Sequence, residues 1–188
     1  MSASMDISSK AVFDALIAVH ERAANMLNTD SELVEQQGQW RGLGFMLSGR
    51  KVVSSMDELT EVMPRPERIT RISGTPDWLV GLCNYHGEVL PLTDLQAFLG
   101  GDAVTQGVTN KVLVVKNLSK YYGFLVQDVL GIQYFPIANI NETGRGRSGL
   151  EYFCYESVSQ ASEQELWPVL SMAALVQDGR FLMKTGAE

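Results

Sequence analysis

The chain has 188 residues, 45% of them hydrophobic and 20% charged, which suits one ordinary domain or two small ones with a core that needs no staples. Its 22 acidic residues against 15 basic give a net charge of -7, which repels phosphate backbones and sets a nucleic-acid role aside. Two cysteines, Cys83 and Cys154, are too few for a disulfide framework or a four-thiolate zinc site, and they fit a reduced, cytoplasmic setting.

The first ten residues lack the basic and apolar regions of a secretory signal, and Asp6, Asp14 and Glu21 argue against a transit peptide. Phe13, Leu16, Ile17, Ala24 and Leu27 recur at the three-and-four spacing of one helix face, so residues 10–28 read as an amphipathic helix with Ser9 placed to cap it. Its apolar stripe needs a surface, either on this protein or on a partner. The polar run after the helix reads as a linker. The expected organisation is therefore an N-terminal helical extension over residues 1–39 and a second domain over residues 40–185.

From Leu43 onward, turn signals punctuate short segments rich in Val, Leu, Phe and Tyr, the pattern of mainly β structure. Phe45 and Leu47 alternate with small or polar neighbours, Ser48-Gly49-Arg50 supplies a turn, and Lys51 to Met56 returns as the second arm of a hairpin. Residues from Asp57 to Val62 read as a helical turn or bend, and Pro64 and Pro66 then exclude both regular helix and central strand, so a loop follows. Val89 to Leu92 is a strand, followed by a capped helical turn that closes at Gly100-Gly101. Lys111 to Lys116 and Tyr121 to Val126 form a second hairpin. Strands are also expected at Ile132 to Phe135, Leu150 to Glu156, Leu166 to Leu170 and Arg180 to Met183, with a helical turn at Met172 to Val176. The total, about nine short strands, suits a barrel or paired barrels. The longest apolar stretch, broken by Pro168, falls well short of the roughly 20 residues that span a bilayer, so no membrane insertion is expected.

Three constellations suggest chemistry. Gly144-Arg145-Gly146-Arg147-Ser148-Gly149 has dinucleotide-loop spacing, but the segment after it reads as a strand, so no helix N-terminus is placed to hold a pyrophosphate. Arg145 and Arg147 read as solvated charges. Cys83 and His86 offer a thiol and an imidazole, yet strand alternation points them to opposite sides, and Cys83 reads as a small buried hydrophobe. The carboxylates of Asp57-Glu58 and of Glu163 and Glu165 read as solvated. No catalytic residue, metal ligand or cofactor is assigned. A mainly β domain of this kind works by binding.

The ordered features resemble the CheW-like domain of chemosensory adaptors. They run from Phe45-Met46-Leu47-Ser48-Gly49 through Leu59-Thr60-Glu61-Val62, Thr75-Pro76, Val80-Gly81-Leu82-Cys83-Asn84 and Gly87 to Leu90-Pro91-Leu92-Thr93-Asp94-Leu95, then through Gly123-Phe124-Leu125-Val126 to Asp178-Gly179-Arg180-Phe181. The resemblance implies two SH3-like five-stranded β-barrels sharing a core, and no enzyme activity. It implies an adaptor bridging a chemoreceptor's cytoplasmic tip to the regulatory domain of a CheA-like histidine kinase, beside membrane-bound receptor arrays. The long segment before Trp40 resembles the PilI-type adaptors of type IV pilus twitching motility, with a flagellar chemotaxis adaptor as the alternative within the family.

The resemblance also carries receptor-facing positions onto this chain. Leu59 and Glu61 match positions near the family's receptor groove, Gly81 matches the glycine before its Asn-x-Arg-Gly turn, and Asn84, His86 and Gly87 belong to that turn. His86 departs from the pattern: an imidazole stands where the family has arginine, so no bidentate Arg–carboxylate fork forms there. On this reading, Leu59→Asp weakens receptor binding and leaves the fold intact. The kinase-facing residues are unassigned. Outside the family, the alternatives are an enzyme built on the Cys83 and His86 neighbourhood or on the glycine-rich loop, and a small β-barrel that binds RNA.

Overall fold

The structure, a computed structural model, describes residues 38–160 and 165–182. The expected helix over residues 10–28 lies outside the described residues. The chain divides into two units between Gln39 and Trp40, and nearly all the described residues belong to the second.

The described residues are mainly β, in eleven strands. They are β1 (Gln39–Leu47), β2 (Arg50–Ser55), β3 (Glu61–Pro64), β4 (Leu79–Tyr85), β5 (Glu88–Asp94), β6 (Lys111–Asn117), β7 (Lys120–Val126), β8 (Asp128–Pro136), β9 (Ile140–Glu142), β10 (Cys154–Val158) and β11 (Trp167–Leu170). Short helices α1 (Leu95–Phe98), α2 (Met172–Val176) and α3 (Gly179–Leu182) accompany them. One sheet has six strands in the order β8-β1-β2-β11-β10-β9, and the other has five in the order β3-β6-β7-β5-β4. Neighbours are antiparallel at β1–β2 and β6–β7, the two expected hairpins, and parallel at β2–β11 and β5–β7.

Strand β6 shows why its sequence is continuously apolar. Leu113 and Val115 face a core shared by both sheets, where they join Phe45, Val52, Phe124, Phe153 and Leu170. Val112 and Val114, pointing the other way, join Cys83, Leu90, Leu92 and Leu125 in a second core within the five-stranded sheet. Both faces of the strand are thus buried, and period-2 alternation disappears. A third cluster, Val53, Phe135, Val158 and Trp167, lies within the six-stranded sheet. The strong apolar positions are divided among these three layers.

Buried polar groups pin the helical turns to the sheets. Asp94 is almost fully buried, and its carboxylate accepts the Ala97 amide at 3.0 Å, capping α1, and the Val104 amide at 2.7 Å. Ser171 caps α2, accepting from the Ala174 amide at 3.2 Å. Glu58 reaches the same helix end from the other side of the sequence, its carboxylate accepting the Ser171 hydroxyl at 3.1 Å and the Met172 amide at 2.6 Å.

Several expectations need correction. Residues 61–64 are a strand, not a loop; Pro64 is tolerated because β3 is an edge strand and Pro64 ends it. Leu150–Tyr152 is a 3-10 turn, so the strand begins only at Cys154. There Gly149 takes φ +67° and the Gly146 amide bonds the Glu151 carbonyl at 2.9 Å, folding the chain back before Phe153 enters the shared core. The expected final strand is helix α3 instead, begun by Asp178, whose carboxylate accepts the Arg180 amide at 2.8 Å. An apolar run this short carries no period that separates strand from helix. Glu58 and Glu165 are not simply solvated: Glu58 holds the N-terminus of α2, and Glu165 pairs with Lys51 at 2.7 Å.

Candidate adaptor surface

Two residues turn β4 into β5. His86 has φ +51° and Gly87 φ +87°, the paired left-handed conformations of a type I′ hairpin turn, whose twist matches that of the strands it joins. Gly87 supplies one of these at little cost, whereas His86 adopts the other despite its Cβ. Asn84 secures the turn, its side-chain carbonyl accepting the Gly87 amide at 3.2 Å.

The turn meets the opposite edge of the same sheet. Strands β3 and β4 are the two edges of the five-stranded sheet, yet Glu61 on β3 accepts the Tyr85 hydroxyl at 2.8 Å and lies 3.2 Å from His86 Nε2. The sheet curls enough for its edges to meet here. The His86 ring packs edge-on against Tyr85 at 4.4 Å between centroids, Tyr121 lies 5.1 Å beyond, and Lys116 sits over Tyr121 at 5.3 Å. The result is a ledge with a carboxylate and an imidazole on the outside and two tyrosines beneath. The Tyr85 and His86 hydrogen bonds hold the Glu61 carboxyl below its ordinary range. Burial, reinforced by the bond to Glu61, pushes the Tyr85 hydroxyl up to about 12.

Of the six positions carried over by resemblance, Glu61, Asn84, His86 and Gly87 come together on this ledge. Gly81 does not join them at the surface. It is buried at φ +146°, and a Cβ there would stand 2.4 Å from the Thr70 carbonyl oxygen, so its bare backbone lets the Thr70 segment bridge to Leu82. Leu59 is half-buried and packs on the shared core, so Leu59→Asp strains the fold as well as any surface, contrary to expectation. Sequence reasoning missed Tyr85 and Tyr121. The visible signal was a pair of aromatics bordering the turns of two hairpins.

The other constellations do not assemble chemistry. Cys83 is buried, with burial raising its thiol, and its Sγ donates to the Leu90 carbonyl at 3.6 Å; His86 is exposed on the turn. The thiol and imidazole do not converge. Cys154 is likewise buried, which pushes its thiol up to about 12. In the glycine-rich loop, Arg145 stacks 3.8 Å over Tyr152 and donates to the Tyr152 carbonyl at 2.9 Å, so it is not simply solvated. Among the described residues there is no cluster of three or more His, Cys, Asp or Glu that could hold a metal, and no helix long and apolar enough to cross a membrane.

The profile of the CheW-like domain matches residues 41–180. This chain belongs to the CheW-like domain family. Protein PilI of Pseudomonas aeruginosa is 31% identical over 171 residues, which cover 90% of this chain and 94% of PilI. FrzA of Myxococcus xanthus is 27% identical over 124 residues, covering 66% of this chain and 77% of FrzA. The chemotaxis protein CheW of Helicobacter pylori is 26% identical over 135 residues, covering 70% and 78% respectively. The crystal structure of the scaffolding protein CheW from Thermoanaerobacter tengcongensis superposes with a TM-score of 0.65, covering 75% of this chain and 94% of that one. At 17% identity, that likeness speaks to the CheW-like fold alone.

Proposed function

We propose that this protein is a non-catalytic adaptor that couples a chemoreceptor's cytoplasmic tip to a CheA-like histidine kinase, in the chemosensory pathway that controls type IV pili and twitching motility. The observation that carries the pilus assignment is the likeness to PilI, which runs through 90% of this chain and extends past the 41–180 match shared by the family. The adaptor's place of work is the cytoplasmic side of membrane-bound receptor arrays.

In this reading the ledge of Glu61, Asn84, His86 and Gly87 faces the receptor, while Gly81 seats the Thr70 segment and Leu59 packs on the shared core. The mechanism is geometric. Two faces of one domain fix the distance and orientation between partners, and interfaces of the transient kind bury on the order of 1,000 to 1,600 Å² in total. His86 gives the ledge a ring nitrogen where the family has a guanidinium, so it offers fewer donors and no bidentate fork. Isothermal titration of the full chain with the kinase's regulatory domain and with a receptor-tip fragment from the same cell tests the proposal. Two separate, non-competing binding events support it; absence of both, or turnover of a substrate lost on Cys83→Ser, overturns it.

A further inference from the structure

Two hollows adjoin across the loop that carries Ile72 and Thr75. The first, about 470 Å³, has a largely apolar wall of Ile72, Leu82, Val89, Pro91 and Tyr121. Val89 is 68% exposed and Ile72 41%, so these side chains face water with nothing packed on them. The second hollow, about 310 Å³, is polar and carries Arg65 and Arg71. Ile72, Thr75 and Leu79 line both.

The arginines are held ready but unpaired. Arg65 is half-buried, and its Nε is shut off from solvent without an acceptor. Neither guanidinium makes an ion pair or hydrogen bond with a described residue. Two carboxylates share the hollow. Asp94 has both oxygens engaged by the Ala97 and Val104 amides, and exposed Asp77 pairs with neither arginine. With Arg65 Nε occluded, the donors open to an outside acceptor are the terminal guanidinium nitrogens of Arg65 and those of exposed Arg71, on a protein whose net charge is -7. A planar carboxylate meets the terminal nitrogens of a guanidinium bidentately.

We infer that the paired hollows are a docking site for an acidic segment of a partner protein, with an apolar side chain seated against Ile72 and Val89 and an adjacent Glu or Asp carboxylate on Arg65 and Arg71. The inference rests on the adaptor reading for one point, that the occupant is a protein segment. Tyr121, shared between the apolar hollow and the Tyr85 ring contact, sets this site beside the Glu61–His86 ledge.

The test is a nitrogen-15 NMR titration of the full chain with acetyl-Leu-Glu-Leu-Glu-Leu-amide, its Gln-for-Glu counterpart, and inorganic phosphate. The expected result is a saturable shift of the backbone amides around Arg65, Arg71 and Val104, with the Glu peptide bound at least about fivefold tighter than the Gln peptide. Arg65→Gln combined with Arg71→Gln abolishes that preference while the rest of the spectrum stays in place, and Val89→Asp weakens both peptides. Equal affinity for the two peptides, or shifts confined to other amides, overturns the inference. So does phosphate saturating the same amides while both peptides leave them unmoved, which would make the hollow a small-anion site. Failure here alongside intact kinase binding removes the docking site alone; loss of kinase and receptor binding by the unaltered chain removes the adaptor reading.

Discussion

The Tyr85 hydroxyl donates to Glu61 Oε2 at 2.8 Å and so ties together the two edge strands of the five-stranded sheet. The bond favours neutral tyrosine and ionised glutamate, and the two groups shift apart accordingly. Tyr85 is raised, so its contribution to stability is whole below the ordinary value of 10.0 and is lost as pH rises toward about 12. Glu61 is lowered from 4.5, so its contribution is present above that value and is lost as pH falls through the folded one. Spectrophotometric titration of the tyrosines is expected to show one group ionising at about 12. In Glu61→Gln that group moves down yet stays above its ordinary value, because burial is the larger cause. A titration in which every tyrosine ionises together contradicts this geometry.

Glu58 joins the bend after β2 to the start of α2, which is 114 residues away at Met172. Removing this acceptor leaves orphan amides at a helix N-terminus, so Glu58→Ala is expected to lower stability by about 1–2 kcal/mol, and Glu58→Gln by less. Asp57→Ala, at an exposed neighbour, is the control and stays within about 0.5 kcal/mol of the parent. Urea unfolding with an unchanged slope measures all three.

Asp94 serves two backbone donors from a buried position, one in α1 and one at Val104. Asp94→Ala strands both and is expected to cost about 2–4 kcal/mol in the same unfolding experiment. A cost no larger than that of an ordinary exposed cap would show that the second bond contributes nothing.

Gly81 and Gly87 make a contrast that separates space from backbone conformation. Both have positive φ, but a Cβ at Gly87 meets nothing within 4 Å, whereas at Gly81 it strikes the Thr70 carbonyl. Gly87→Ala is expected to cost about 1–2 kcal/mol from the left-handed conformation alone. Gly81→Ala adds the displacement of the Thr70 segment and costs at least about 3 kcal/mol. Equal losses would mean that the Thr70 segment yields freely.

The hairpins were legible because their information is local. In β1–β2, alternation and a Ser-Gly turn sit within a dozen residues, and in β6–β7 two apolar runs flank Asn117 to Lys120. The capped turn after Asp94 was legible for the same reason, although its second amide, Val104, was not. What escaped were relationships that only the fold creates. Glu58 looks like any loop carboxylate until Met172 arrives beside it. Glu61 and Tyr85 stand on opposite edges of a sheet whose curl no spacing encodes. The segment from Leu150 was misread because Leu150, Tyr152 and Phe153 pack on a core already built by other elements, and both it and the segment from Arg180 are too short to establish a period. Four of the six positions named by family resemblance meet on one ledge, but without the structure nothing separated them from Gly81, which abuts the Thr70 segment, and Leu59, which packs on the shared core.

In the proposed function, one domain holds two partners by separate faces. Calorimetric titration of the full chain with the regulatory domain of the CheA-like kinase, repeated after saturation with the receptor tip, tests it most directly. Both partners are expected to bind together, and Glu61→Lys is expected to weaken the receptor arm by about tenfold or more while leaving the kinase arm unchanged. Competition between the two partners for one face, or no binding of either, would contradict it.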